Sequence, residues 1–265
     1  MNFSIKTFYV YLIGLLLLAG CGESETKTPP PTPIQNIVFL DKSTSAGGGF
    51  TEFALQKYNR ALKDMVANNI RGKGDRLDIY YIHENTSKAE AFSGTSKAAI
   101  SEDTTDISPT DKEAIRNDFD LTLRKERTEF QNQALRHLLA ENATATNQQT
   151  DIWATLEVIK RIADTASIVK VYYLSDMIES AKGTNRRDFH INPPKSREQA
   201  LEWARTDVNL LKKDYQSIPF DKITIYLVLP FEPTSTSREN NPNVTYYWEE
   251  LFSLLGYKKR VEEVN

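Results

Sequence analysis

The stretch Ile34-Gln35-Asn36-Ile37-Val38-Phe39-Leu40-Asp41-Lys42-Ser43-Thr44-Ser45 decides how the rest of the chain reads. Its first half is a short apolar run with β-branched and aromatic residues, the composition of a strand buried on both faces. The run ends at Asp41, and the spacing D-x-S-x-S follows through Ser43 and Ser45. Gly47, Gly48 and Gly49 then let the backbone turn sharply before a helical pattern begins at Phe50. A strand that delivers one carboxylate and two hydroxyls into the loop at its carboxyl end is placing oxygen ligands. That donor set suits a hard divalent cation such as Mg²⁺. The same residues also suit a Ser/Thr turn whose side chains satisfy their own backbone.

Downstream, Phe53, Leu55, Tyr58, Leu62 and Met65 recur at helical spacing, which predicts an amphipathic helix over residues 50–68. Gly72-Lys73-Gly74-Asp75 stops it, and residues 76–83 read as a second strand. The Gly-Lys pair is no phosphate loop, because neither Ser nor Thr follows the Lys and the preceding glycine spacing is missing. Strand, helix and strand at this length make a βαβ unit, so the fold class is α/β with a parallel sheet. Residues 84–111 are rich in Ser, Thr and Asp, with a short edge strand expected around 89–95. Residues 111–141 read as one long charged helix with an apolar stripe through Ile115, Phe119, Leu123, Phe130, Ala134 and Leu138. Its charges form a solvated face, and its length would let it overhang the sheet and carry a partner-binding surface.

Thr150-Asp151 precedes a helical stripe that begins at Ile152; by itself the Thr is an ordinary N-cap, and the Asp suits the positive helix end. Residues 167–174 form the next strand, which also ends in a carboxylate, Ser175-Asp176. Residues 177–195 read as a polar loop carrying Arg186, Arg187 and His190. A helix over 197–215, a strand over 222–229 and a closing helix over 244–255 complete the pattern. In a doubly wound sheet the strand order reverses beside the first strand, and the loops on either side of the reversal open a crevice. If the chain crosses there, Asp41 and Asp176 face one crevice, and Thr150 reaches it from the intervening loop. Asp41, Ser43, Ser45, Thr150 and Asp176 then surround one point.

This pattern resembles the von Willebrand factor A (vWA) domain and its metal-ion-dependent adhesion site. It carries D-x-S-x-S after the first strand, a Thr ahead of the helix before the fourth strand, and an Asp ending that strand. Family members often show Thr-Asp-Gly at the last position; this chain has Ser175-Asp176-Met177, keeping the Asp and losing the Gly. Gly74-Asp75-Arg76-Leu77, leading into the second strand, is also similar to the family. The resemblance runs from Ile34 to the C-terminus, with residues 84–149 longer than usual. It implies a doubly wound, mostly parallel, Rossmann-like sheet with helices on both faces. It implies a cation, Mg²⁺ with Mn²⁺ or Ca²⁺ as alternatives, held by Asp41, Ser43, Ser45, Thr150 and Asp176, the aspartates acting partly through water. A cation held mainly by neutral oxygens keeps positive charge and a replaceable water, so it would take an Asp or Glu of a partner protein as a further ligand.

The formal net charge of −3 leaves no basic stripe for nucleic acid. The chain's 1 Cys excludes an internal disulfide. That residue ends Leu18-Ala19-Gly20-Cys21, which follows an apolar run too short to span a membrane comfortably and resembles the lipobox of bacterial lipoproteins. Residues 1–21 are therefore expected to be a lipoprotein signal with Cys21 as the lipidated residue, and residues 22–33 a Pro-rich spacer holding a domain over 34–265 off the membrane. Gly22 is not the acidic residue that would suggest retention at an inner membrane, which favours the outer membrane of a bacterial envelope. Lys42, Arg186 and Arg187 are candidates for a positive rim around the site or for plain solvation.

The competing readings are a vWA-like scaffold whose site holds no metal and a metal-dependent phosphoesterase. A strand ending in Asp also opens the haloacid-dehalogenase site, but that chemistry wants a second Asp where this chain has Ser43. His83, His137 and His190 share no ligand spacing, and neither G-x-S-x-G nor H-E-x-x-H occurs. The expected protein is a binding module and not an enzyme.

Overall fold

The computed structural model describes residues 31–42, 51–100, 107–140 and 149–264, and Thr32–Asn265 forms one compact unit. The expectations for the leader, Cys21, Ser43 and Ser45 fall outside the described residues. No described helix is long and apolar enough to cross a membrane.

Strand β1 (Ile34–Asp41) is buried from Asn36 to its end. Ile37 and Phe39 enter one apolar layer while Val38 and Leu40 enter the other, the period-two alternation of a strand covered on both sides. Each such side chain contributes about 1.5–3 kcal/mol through removal from water. Strand β1 pairs in parallel with β2 (Arg76–Ile82) on one side and β4 (Ile168–Leu174) on the other. The full order is β3-β2-β1-β4-β5-β6, with β3 (Glu90–Thr95) antiparallel at one edge and β5 (Ile223–Val228) and β6 (Glu262–Glu263) parallel at the other. Strand order therefore reverses between β1 and β4, the position at which a doubly wound sheet opens its crevice.

Helices α1 (Glu52–Asn69) and α2 (Pro109–Leu139) cover one face. Helices α3 (Thr155–Ala163), α4 (Arg197–Tyr215) and α5 (Pro242–Leu255) cover the other. The expected doubly wound α/β sheet is the one observed. Its first turn is set by Asp75, whose carboxylate accepts from the amides of Ile34 (2.7 Å), Arg71 (2.6 Å) and Gly72 (3.1 Å). One side chain thus joins the start of β1 to the end of α1. Gly74 beside it sits at φ +93°, where an added Cβ would lie 2.9 Å from Pro33 Cγ, so only glycine fits without strain.

The long helix falls where its stripe places it, capped by Ser108, whose Oγ accepts from Asp111 N at 3.2 Å. Its buried residues are Leu123, Phe130, Ala134 and Leu138, so its first turns project beyond the packed region. Two expectations are corrected. Helix α3 starts at Thr155, not Ile152, because residues 152–156 first make tighter turns (Thr155 N to Ile152 O, 3.0 Å; Leu156 N to Trp153 O, 3.0 Å). The segment after β4 is no polar surface loop: Met177, Glu179, Ser180, Ala181 and Phe189 are all buried. Three of its charged residues, Glu179, Arg186 and Arg187, form internal ion pairs, described next.

Candidate metal centre at the carboxyl rim

Register carries the two aspartates to one place. Leu40 pairs with Leu174, so Asp41 and Ser175-Asp176 leave adjacent strands at the same rim. Ser175 Oγ donates to Asp41 Oδ2 (2.6 Å) and accepts from Met177 N (2.9 Å), lashing the two strand ends together. Asp176 Oδ1 accepts from Ile178 N at 2.9 Å. Asp41 is fully buried and Asp176 nearly so. Burial first, and the Asp41 carboxylate second, push Asp176 well above the usual carboxylate range. The buried phenol of Tyr58 on α1 feels both carboxylates and is likewise pushed up, chiefly by burial. Two carboxylates this close in a dry setting need either a shared proton or a cation between them.

Thr150 arrives through a zipper between two segments. Its N–H donates to Ser180 Oγ (2.8 Å) and its carbonyl accepts from Ser180 N (3.0 Å). Ile152 N donates to Glu179 Oε2 (2.9 Å), and Lys182 N to Gln149 Oε1 (3.2 Å). Arg186 bridges Asp151 and Glu179 with one terminal nitrogen and stacks 4.4 Å over the Trp153 ring. Burial pushes the fully enclosed Glu179 up to about 7 against the pull of Arg186. Burial would lower the guanidinium, but the charges of Glu179 and then Asp151, with its hydrogen bonds to both, raise it.

The plain capping role for Thr150 fails. Helix α3 begins well past it without a side-chain cap, and in the turn before it Ala154 N donates to Asp151 Oδ1 (3.0 Å). Thr150 Oγ1 is buried and has no hydrogen-bond partner among the described residues. A buried hydroxyl left without a partner costs about 1–3 kcal/mol unless something completes it.

Met177 occupies the family's glycine position and sits at φ 62°. For a residue with a Cβ that left-handed conformation costs roughly 1–2 kcal/mol. It is held by Ser175 Oγ on its N–H, by Trp248 Nε1 donating to its carbonyl (2.8 Å), and by complete burial of its side chain. The backbone course that a glycine would take is kept without the glycine.

The positive rim is corrected. Lys42 Nζ donates to the carbonyls of Leu138 (2.6 Å) and Ala140 (2.9 Å), closing the carboxyl end of α2, and burial lowers it to about 8. Arg187 pairs with Asp207, which also accepts from Tyr247 Oη (3.0 Å), and stacks 4.4 Å over Trp203. With Arg186 bound as above, the three cations serve internal structure. His83 Nδ1 accepts from Asn85 N (3.0 Å), while His137 Nδ1 lies 3.0 Å from Tyr81 Oη.

Of the residues the sequence singles out, Asp41 and Asp176 leave adjacent strands at this rim, and Thr150 is hydrogen-bonded to Ser180 in the segment that follows Asp176. Sequence reading missed Ser175, Glu179, Arg186 and Trp248. For Ser175 a signal existed, a hydroxyl in the slot where the family carries Thr; for the other three there was none. Among the described residues no group of three or more His, Cys, Asp and Glu could hold a metal. The donors here are two carboxylates and a hydroxyl, which fits a hard cation bound largely by oxygen and not a transition-metal cage.

No family model and no curated protein matches the sequence. Solved structures similar to the chain include a von Willebrand factor type A protein from Catenulispora acidiphila, at 12% identity over 85% of this chain and 43% of that one (TM-score 0.35). They also include proximal thread matrix protein 1 from the mussel byssus, at 11% identity over 85% of this chain and 47% of that one (TM-score 0.30). A third is the manganese-loaded TRAP protein of Plasmodium vivax, at 11% identity over 80% of this chain and 62% of that one (TM-score 0.29). The chain spans less than half the length of the first two. Its sheet is the doubly wound, mostly parallel one that the vWA resemblance implies, with β3 reversed at one edge, Asp41 ending β1 and Asp176 two residues beyond β4.

Proposed function

We propose that this chain is a binding module of the bacterial envelope, anchored through a lipid on Cys21, which holds a divalent cation and uses it to capture an acidic residue of a partner protein. Asp41, Ser43, Ser45, Thr150 and Asp176 are its ligands, and Mg²⁺ or Mn²⁺ its cation. One observation carries the reading. Two buried carboxylates meet at the switch point, and the segment zipped to the loop after Asp176 brings in a buried hydroxyl that lacks a partner. A cation supplies there the positive charge that the two carboxylates lack and an open coordination position for an incoming carboxylate. The chain's own residues do the rest. Ser175 holds Asp41 in place, Asp176 is fixed by the Ile178 amide, and Thr150 is positioned by its backbone bonds to Ser180.

Calorimetric titration of Mn²⁺ and Mg²⁺ into Thr32–Asn265, the unit that contains every described element, tests the site. Wild type should bind one equivalent, while Asp41→Ala and Ser43→Ala should lose binding and keep their far-ultraviolet circular dichroism. If both variants bind as well as wild type, the assignment is wrong. Loss of membrane fractionation in Cys21→Ala tests the anchor, and pull-downs with and without EDTA test the partner mode.

A further inference from the structure

A cleft of about 430 Å³ opens between α1 and the connection from β5 to α5. That size lies within the range of small-ligand sites, roughly 300–1,000 Å³. Its α1 wall is Phe53, Gln56, Lys57 and Arg60, spaced i, i+3, i+4 and i+7 along one face of the helix. The opposite face, through Ala54, Tyr58, Ala61 and Leu62, is in the core, so packing has already claimed one side of α1 and left this one to the cleft. The facing wall combines apolar Leu229, Phe231 and Pro233 with polar Ser235 and Asn240 and the carboxylates of Glu232 and Glu263.

Lys57 is half-buried, and among the described residues neither it nor Arg60 forms a hydrogen bond or ion pair. Burial lowers Lys57, with the Glu263 charge opposing from across the opening, yet the two do not come within ion-pair contact. A desolvated cation facing a gap is suited to an incoming anion. Two cations and two carboxylates leave the lining neutral, so one negative charge is accommodated where a dianion would meet Glu232 and Glu263. Phe53, Leu229, Phe231 and Pro233 offer an apolar surface for the rest of the ligand.

We propose that this cleft binds an amphipathic monocarboxylate, its carboxylate on Lys57 and Arg60 and its apolar body between Phe53 and Phe231. The inference is independent of the metal. The carboxylate could come from a free small acid or from the C-terminus of a peptide, and the test separates them.

Saturation-transfer NMR on Thr32–Asn265 in EDTA would use 3-phenylpropionate, its amide 3-phenylpropanamide, and the peptide Gly-Gly-Phe with free or amidated terminus. Saturable binding of the acid, or of the free-terminus peptide, is expected to be at least tenfold tighter than that of the neutral amides. The double variant Lys57→Met, Arg60→Met keeps helix propensity and stem length; it should weaken binding at least tenfold with Tm unchanged. Tighter binding of the peptide assigns the cleft to a chain terminus, and tighter binding of the acid to a free metabolite-sized anion. Absence of saturable binding, equal binding of the amides, or undiminished binding by the double variant overturns the proposal. Because EDTA is present throughout, failure here leaves the metal reading standing, and failure of the metal titration leaves the cleft standing.

Discussion

The two strand ends that form the crevice are built by opposite strategies. At the β1 end the proposed ligands alternate within one short stretch, Asp41, Ser43 and Ser45, and the described contacts to the rest of the fold include Ser175 on Asp41 and Lys42 on the last carbonyls of α2. At the β4 end a single proposed ligand, Asp176, is followed by a segment pinned by three other parts of the chain. Trp248 of α5 takes the Met177 carbonyl, Glu179 takes the Ile152 amide, and Arg186 bridges Glu179 to Asp151. A contiguous motif needs only a strand and a turn. A site whose third element comes from elsewhere in the chain needs a scaffold to bring it in, and here that scaffold is a buried ion-pair network between residues 149–154 and 178–186.

The sharpest way to break this contrast is to remove the network's cation. Arg186→Met keeps much of the stem over Trp153 but leaves the enclosed Glu179 facing it without charge compensation. It should cost about 3 kcal/mol or more at pH 8, read from urea midpoints at unchanged m. A loss under about 1 kcal/mol would mean that the zipper's backbone bonds suffice. The same variant should be milder at pH 6, where Glu179 takes a proton.

Next in size is pH dependence. Glu179 rises from its ordinary 4.5 to about 7, so between those values the folded protein holds more protons than the unfolded chain. The stability is fully present below pH 4.5 and is lost as pH rises through about 7, by on the order of 3 kcal/mol. Asp176 acts in the same direction. Glu179→Gln should shrink the slope in a urea series from pH 4.5 to 8, and an unaltered slope would assign it elsewhere.

Met177→Gly comes third. It relieves roughly 1–2 kcal/mol of left-handed strain but loses about 2–3 kcal/mol of burial and adds unfolded-chain freedom. A net loss of about 1–2 kcal/mol is expected, with Mn²⁺ titration unchanged; a more stable variant would show that the side chain contributes little packing. Smallest is Lys42→Met, which should stay within about 1 kcal/mol yet speed amide exchange in the last turn of α2. Unchanged exchange there would remove Lys42 from its capping role.

Much of the sheet could be read because apolar period and strand-ending aspartates are local features. The helical stripe through Leu123, Phe130, Ala134 and Leu138 was equally visible, since burial on one helix face leaves its mark every three to four residues. Glu179 and Arg186 were not visible: two charged residues in a stretch with Gly183 and Asn185 look like solvated loop. Their burial follows from α4 and α5 closing over them, a long-range event with no period. The cap alternative for Thr150 arises for a related reason, since a Thr before a helical stripe gives the same local signal whether or not the helix starts there.

Sequence alone determined the α/β class, the strand that ends in D-x-S-x-S, the second aspartate and the long charged helix, because each is written in neighbouring residues. Tertiary structure decided that Asp41 and Asp176 leave adjacent strands, that Thr150 is zipped to the segment beyond Asp176, and that Met177 holds a glycine's conformation. It also gave Lys42, Arg186 and Arg187 internal partners in place of either a rim or plain solvation, because a charge's partner is chosen by what folds against it and not by what precedes it in the chain.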